Sequence, residues 1–228
     1  METHPLIVAI DGPAGAGKSA AARGLASRLG IPYLDTGAMY RAVALEALRA
    51  GVASVGSGED ERRVAEIAET VAISFVGDAT GQRVVVNGRD VTGELRTPAV
   101  SEMASVVSAV SAVRRAMVQR QRGLAAVTGG VVEGRDIGTV VFPDAAVKIF
   151  LTASADVRAR RRFDELRHRG IAVVWDDVLA EQRERDQRDS TRADSPLRPA
   201  PGAAVLDTSA LGLVEVIERL IHLIRPGS

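Results

Sequence analysis

Eight consecutive residues set the chemical problem: Gly12-Pro13-Ala14-Gly15-Ala16-Gly17-Lys18-Ser19. The spacing G-x-x-x-x-G-K-S is that of a loop that cradles a polyphosphate. Glycines let successive backbone N–H groups curl around anionic oxygens with no Cβ in the way. A helix opening at this point adds unpaired N–H donors and a partial positive charge. Lys18 can reach the β- and γ-phosphates, and the Ser19 hydroxyl can ligate Mg²⁺.

Acids and arginines supply the other chemistry. Asp11, Asp35, Glu133 and Asp136 each stand at or just beyond the end of an apolar run. One such acid is an ordinary turn cap; several strand ends carrying acids point to a shared site. Arg158, Arg160, Arg161, Arg162, Arg167 and Arg169 crowd one segment, with Asp164 and Glu165 among them. That pattern fits a solvated basic face. The functional reading beside that usual one is a mobile lid, over about 156–172, that closes arginines on a transferring phosphoryl group. Arg185, Asp189 and Arg192 are spaced i, i+4, i+7, which places them on one helix face. An exposed ion pair is the alternative for these three.

The elements that must position these groups alternate in type. Leu6 to Asp11 is an apolar run before the glycine loop, and Ala20 to Leu29 reads as a helix. Ile31 to Asp35 is a second strand, followed by a helix from about Ala38 to Ala50. A polar-faced helix spans about Glu59 to Thr70. The texture then changes. Val71 to Val76 is a strand, Gly77 to Gly81 a turn and Arg83 to Val86 a strand. Asn87-Gly88 is a strong hairpin signal. This predicts a small antiparallel meander outside the main sheet. Thr97-Pro98 offers an N-cap and an N1 proline for a helix to about Ser108. A longer helix covers about Ala112 to Ala126. Strands follow at Gly130–Glu133, Val147–Leu151 and Ala203–Asp207, with helices over about 156–169, 175–189 and 213–224. The expectation is an α/β fold: a doubly wound, five-stranded parallel sheet flanked by helices, with the ligand beyond the strand C-termini.

Composition narrows the partners. Lys+Arg and Asp+Glu each number 29, so no global basic field exists for nucleic acid. Cysteine is absent, which removes thiol catalysis and zinc thiolates. His4, His168 and His222 are scattered, against a histidine metal site. No apolar run reaches the length of a membrane span. The first strand begins too early for a signal peptide. The expected protein is cytoplasmic and binds neither nucleic acid nor membrane.

Five stretches together carry a resemblance: Ile10-Asp11-Gly12 through Ser19; Asp35-Thr36-Gly37-Ala38-Met39-Tyr40-Arg41; Gly88-Arg89-Asp90-Val91-Thr92 with Leu95-Arg96-Thr97; Glu133-Gly134-Arg135-Asp136-Ile137-Gly138-Thr139-Val140-Val141-Phe142-Pro143-Asp144; and Arg185-Asp186 with Asp189-Ser190-Thr191-Arg192. They resemble the bacterial cytidylate (CMP) kinases over essentially the whole chain, including the inserted meander. The resemblance implies a P-loop nucleoside monophosphate kinase of pyrimidine nucleotide metabolism. Its reaction is ATP plus CMP or dCMP giving ADP plus CDP or dCDP, with Mg²⁺. It implies one domain over residues 1–228, with an inserted acceptor lobe over about 60–112 and the lid above, and a monomer is expected.

The residue roles implied are specific. Gly12, Pro13, Ala14, Gly15, Ala16, Gly17, Lys18 and Ser19 hold ATP, with Ser19 on the metal. Arg41, Arg135 and Arg192 surround the acceptor phosphate. Arg158 and Arg161 sit near the transferring group, so Lys18, Arg135, Arg158, Arg161 and Arg192 are the catalytic set. Asp136 accepts from the cytosine amino group, while Arg114 and Ser105 bond the other cytosine edge. Asp189 and Arg185 contact the ribose. Asp35 and Thr36 complete the acceptor site, Thr36 standing where some members carry Ser. Val131-Val132-Glu133 occupies the place of an apolar strand ending in Asp, which leaves the metal role of Glu133 or Asp136 open. The alternative readings are another P-loop small-molecule kinase, such as a UMP kinase, and a nucleotide-binding regulatory module.

Overall fold

A computed structural model describes residues 5–79 and 81–224. His4 and Thr80, the latter inside the expected turn from Gly77 to Gly81, lie outside these residues. In chain order the elements are β1 (Ile7–Asp11), α1 (Lys18–Leu29), β2 (Tyr33–Asp35), α2 (Thr36–Arg49), α3 (Gly58–Thr70), β3 (Ile73–Val76), β4 (Arg83–Val86) and β5 (Arg89–Asp90). Then come α4 (Pro98–Val107), α5 (Ser111–Thr128), β6 (Gly130–Glu133), β7 (Val147–Thr152), α6 (Ala155–His168), α7 (Trp175–Thr191), β8 (Ala204–Asp207) and α8 (Leu213–Ile224).

Five strands form one parallel sheet in the order β2-β6-β1-β7-β8. The chain leaves β1 to one side and later fills the other, so the loop after β1 opens where strand order reverses. Ligands of doubly wound sheets sit at that point. Side chains alternate across a strand. Val8 and Ile10 of β1 therefore pack with Leu25 of α1 and Leu220 of α8. Ala9 packs on the opposite face with Met39 and Val43 of α2 and Met117 of α5.

The meander β3-β4-β5 is a separate antiparallel sheet, as its pattern requires. Asn87 (φ 48) and Gly88 (φ 79) both take the left-handed conformation a tight hairpin demands. Val84 and Val86 of β4 bury themselves in the same apolar cluster as Ala9 and Val132 of the main sheet. The insert thus shares a continuous core with the sheet. Thr97 caps α4, and its side chain accepts from the Val100 N–H.

Two local features depart from the sequence pattern. A π-helical turn, Ile137–Val141, follows β6 and has no periodic signal. Arg185, Asp189 and Arg192 do not share a helix face. α7 ends at Thr191, and Arg192 is extended at φ −59, ψ 143. Its Nε donates to the Ser195 carbonyl (2.6 Å) across a turn in which Ser195 has φ 54. That fold-back returns Arg192 to the neighbourhood of the other two.

Candidate active site

The loop after β1 is built for close approach. A Cβ on Gly12 (φ +146) would lie 1.9 Å from the Leu151 carbonyl oxygen. α1 starts at Lys18 behind Gly17, with no side-chain cap and no acid in its first turn. Its first-turn N–H groups and positive dipole end therefore suit an anion.

Carbonyls of the same loop are tied down from behind. Ala14 O accepts from Arg158 Nη1 and Gln182 Nε2, both at 3.2 Å. Gly15 O accepts from Arg161 Nη1 (3.4 Å), and Ala16 O from Thr208 Oγ1 (3.1 Å). Three consecutive carbonyls are thus held by α6, α7 and the turn after β8. Gln182 and Thr208 lie outside any motif, so the sequence pattern does not mark them.

α6 also packs on the loop. A Cβ on Gly15 (φ +76) would meet Arg158 Cβ at 2.8 Å and Arg158 O at 2.9 Å. Gly15→Ala is expected to destabilise the fold by about 2 kcal/mol or more, from backbone strain and overpacking together. Thermal melting checks this, and an unchanged Tm would contradict it.

Lys18 is buried, and its Nζ donates to the Pro13 carbonyl at 2.7 Å. Burial and the Arg135 cation push its pKa well below the usual lysine value, while Glu133 opposes them. The Ser19 hydroxyl donates to Glu133 Oε2 at 3.0 Å. The other Glu133 oxygen accepts from the Tyr33 hydroxyl. Burial and Asp35 raise the Glu133 pKa, and Lys18 with the two hydroxyl donors resists that rise. Tyr33 is a further site residue that carries no motif signal.

Opposite this loop lies a second set of groups, in one cleft of about 450 Å³. Asp35 caps α2 by accepting from Ala38 N (2.9 Å) and pairs with Arg41 at 2.8 Å. Thr36 Oγ1 donates to the Glu133 carbonyl at 2.6 Å. Arg114 and Asp136, both buried, form an ion pair, and Arg114 Nη1 also donates to the Ser108 carbonyl at 3.2 Å. Asp189 accepts from Arg135 Nε at 2.9 Å and lies 3.8 Å from Arg192 Nη1.

The cleft is lined by ten Lys or Arg side chains and five carboxylates, in a chain of zero net charge. Several of its donors lack partners. Among the described residues, Arg41 Nε, Arg114 Nε, Arg185 Nε and Arg192 Nη2 are buried without a hydrogen-bond partner. Burial pushes the Arg185 guanidinium down to about 10, and the Arg135 cation adds to the effect. Buried unpaired donors are costly, and an anionic ligand would satisfy them.

Most expected site residues line this cleft: Ala14, Gly15, Gly17, Lys18, Ser19, Asp35, Thr36, Arg41, Arg114, Arg135, Asp136, Arg161, Arg185, Asp189 and Arg192. Ser105, on α4, does not line it, and its buried Oγ has no hydrogen-bond partner among the described residues. Arg158 does not line it. Its guanidinium bonds the carbonyls of Ala153 (2.9 Å) and Ala14 and pairs with Asp186 at 2.8 Å. Arg158 thus braces the glycine loop from behind, whereas the family resemblance implies a place beside Arg161 near the transferring group. Arg161 reaches the cleft while its Nη2 donates to the Thr208 carbonyl at 2.6 Å. Asp11 does not line the cleft; both its oxygens accept backbone N–H groups, although Asp136 and Lys18 still act on it.

Among the described residues no cluster of three or more His, Asp or Glu side chains forms a metal cage. Ser19 and Glu133 nevertheless offer adjacent hard oxygens. Mg²⁺ needs only one or two protein oxygens when phosphates and waters supply the rest, so the donor set fits that ion.

A glycine loop after the central strand of a parallel sheet, facing an arginine-rich cleft across it, defines a P-loop kinase. A family model described as "Cytidylate kinase" matches residues 8–226. The chain is 52% identical over 222 residues to a cytidylate kinase of Solibacter usitatus (strain Ellin6076), covering 96% of this chain and 92% of that one. It is 50% identical over 224 residues to a cytidylate kinase of Mycobacterium avium (strain 104), covering 98% and 96%. The chain belongs to the cytidylate kinase family. Its fold is also similar to that of a crystallised uncharacterized protein from Eubacterium ventriosum ATCC 27560, with TM-score 0.53 at 13% identity, covering 96% and 98% of the two chains.

Proposed function

We propose that the protein transfers the γ-phosphate of ATP to CMP or dCMP, giving ADP and CDP or dCDP. The observation that carries this reading is the set of unpartnered arginine donors facing the glycine loop. A loop for one polyphosphate opposite donors for a second phosphate is a two-nucleotide site. An oxygen of the acceptor phosphate attacks the γ-phosphorus, and the bond to the β,γ-bridging oxygen breaks. The acceptor is largely dianionic near neutral pH, since its second pKa is about 6. No strong general base is required. Charge cancellation is required, and Lys18, Arg41, Arg135, Arg161, Arg185 and Arg192 supply it. Arg158 and Gln182 hold the loop that receives ATP. Ser19 would ligate Mg²⁺, and Glu133 would accept from a water of its shell. The ion, when bound, offsets charge on the phosphate oxygens.

Base choice follows from the Arg114–Asp136 pair. Side by side they offer donors and a carboxylate acceptor. Cytosine presents the complement, with acceptors at O2 and N3 and a donor at N4, and Ser105 adds a hydroxyl. Uracil would set O4 against the carboxylate. Asp189 and Arg185 take the ribose. The insert over about 60–112 serves as the acceptor lobe and about 156–172 as the lid. Arg169 Nη1 donates to the Arg96 carbonyl at 2.6 Å, linking the far end of α6 to the insert. With Arg158 anchored, lid motion belongs to the part of α6 beyond it. We further read the protein as a cytoplasmic monomer acting on free nucleotides, without nucleic-acid or membrane partners. No described helix is long and apolar enough to cross a membrane.

The test is phosphate acceptance from ATP and Mg²⁺ by CMP, dCMP, UMP, AMP and shikimate. A cytosine nucleotide should be preferred; preference for any other acceptor refutes the assignment. Steady ADP release that ignores CMP would instead favour a regulatory module. Asp136→Asn should lower the kcat/KM ratio of CMP over UMP by about tenfold or more. An unaltered ratio removes Asp136 from base reading.

A further inference from the structure

The turn Ile137–Val141 poses a capping problem. Its N-cap residue is Asp136, a residue type that ordinarily folds its carboxylate back onto the first free N–H groups of its own helix. Asp136 makes no such bond. Its carboxylate goes to Arg114. The orphaned N–H groups of Ile137 and Gly138 are instead met by the two oxygens of Asp11, each at 2.8 Å. Asp11 comes from the end of β1, 126 residues away in sequence from Ile137. It is 2% exposed.

We propose that Asp11 is a positioning residue: it caps this turn in place of Asp136 and so frees the Asp136 carboxylate to read the base. The proposal rests on reading the cleft as a cytosine-nucleotide site. If Asp11 cannot accept both N–H groups, Asp136 is the adjacent acceptor able to fold back onto them. It then leaves Arg114 and the base. Because Asp11 directly precedes Gly12, one strand end holds both the ATP loop and the base-reading turn. The charged groups acting on Asp11 are Asp136, from the turn itself, and Lys18, from α1. Burial raises its pKa to about 6, against the pull of the two N–H donors. Above that pH the cap is an anion with two acceptors, and below it one oxygen carries a proton.

Asp11→Asn presents one acceptor and one NH₂ group to two N–H donors. Its ratio of kcat/KM for CMP over UMP should fall at least about tenfold, while the KM for ATP changes less than about threefold. If the unaltered chain prefers cytosine and Asp11→Asn keeps that preference, the proposal is overturned and the functional reading stands. If the unaltered chain shows no cytosine preference, both fall. A measurement on the unaltered chain decides the matter should the variant not fold. The CMP/UMP ratio is followed from pH 8 to pH 5, where phosphate ionisation is common to both nucleotides and cancels. The backbone amide shifts of Ile137 and Gly138 are followed by NMR over the same range. The ratio should fall as pH drops, with the midpoint of those amide shifts. A flat ratio, or a midpoint that differs from theirs, overturns the proposal.

Discussion

Lys18→Ala is expected to lower kcat by about 10³-fold or more while the fold survives. Lys18 is a buried cation whose Nζ donates to the Pro13 carbonyl of its own loop, with the Arg135 cation acting against it and the Glu133 carboxylate for it. Removing it relieves like-charge repulsion and burial, so Tm should move by no more than a few degrees. In the proposed function, however, the transferring phosphoryl group loses the ammonium that the loop supplies. A loss of that size corresponds to about 4 kcal/mol of transition-state stabilisation. Initial-rate kinetics with saturating ATP and CMP measure it, and circular-dichroism melting controls for folding. A kcat within tenfold of the unaltered enzyme would refute the role given to the loop.

Arg185→Ala should separate stability from function in opposite directions. The Nε of Arg185 is buried without a hydrogen-bond partner among the described residues. Asp189, which acts on it, is engaged by Arg135 and Arg192. Its depressed pKa, about 10 against an ordinary 12.5, means that the folded state disfavours its charge. A shift of that size is a destabilisation of the free protein, roughly 3 kcal/mol before solvent screening. The alanine variant should therefore melt no lower than the unaltered chain, and it should melt higher if the cavity collapses well. Its kcat/KM for CMP should fall by about 10²-fold, because a charge-assisted contact to the acceptor is gone. ATP affinity should change little. A lower Tm together with unchanged kcat/KM would make Arg185 a structural residue. Such a balance is expected of groups whose partner is the ligand: strain tolerated in the free protein becomes binding energy in the complex.

Local chemistry makes much of this protein legible in its residue order. The strand-glycine-helix passage at Gly12–Ser19 declares itself, because φ restrictions and helix capping act within a few residues. The parallel sheet follows from apolar runs alternating with helical periods. The antiparallel insert follows from Asn87-Gly88, and the start of α4 from Thr97-Pro98. Each of these is a short-range rule, so the sequence contains it in consecutive letters.

Tertiary structure alone decides which charged groups face the cleft. Arg158 and Arg161 look equivalent on α6, yet the first is turned under the glycine loop onto Ala14 and Asp186. Gln182 reaches the same Ala14 carbonyl across a separation of 168 residues, and no local pattern marks it. Asp11 and Asp136 both follow apolar strands, but one is buried as a cap and the other faces Arg114. The reason is physical. Residue type and spacing fix what a side chain can donate or accept, and which element it rides on. The partner it takes depends on how distant elements pack, and on which buried groups the packing has already satisfied. The donors left over, on Arg41, Arg114, Arg185 and Arg192, are known only once that assignment is complete.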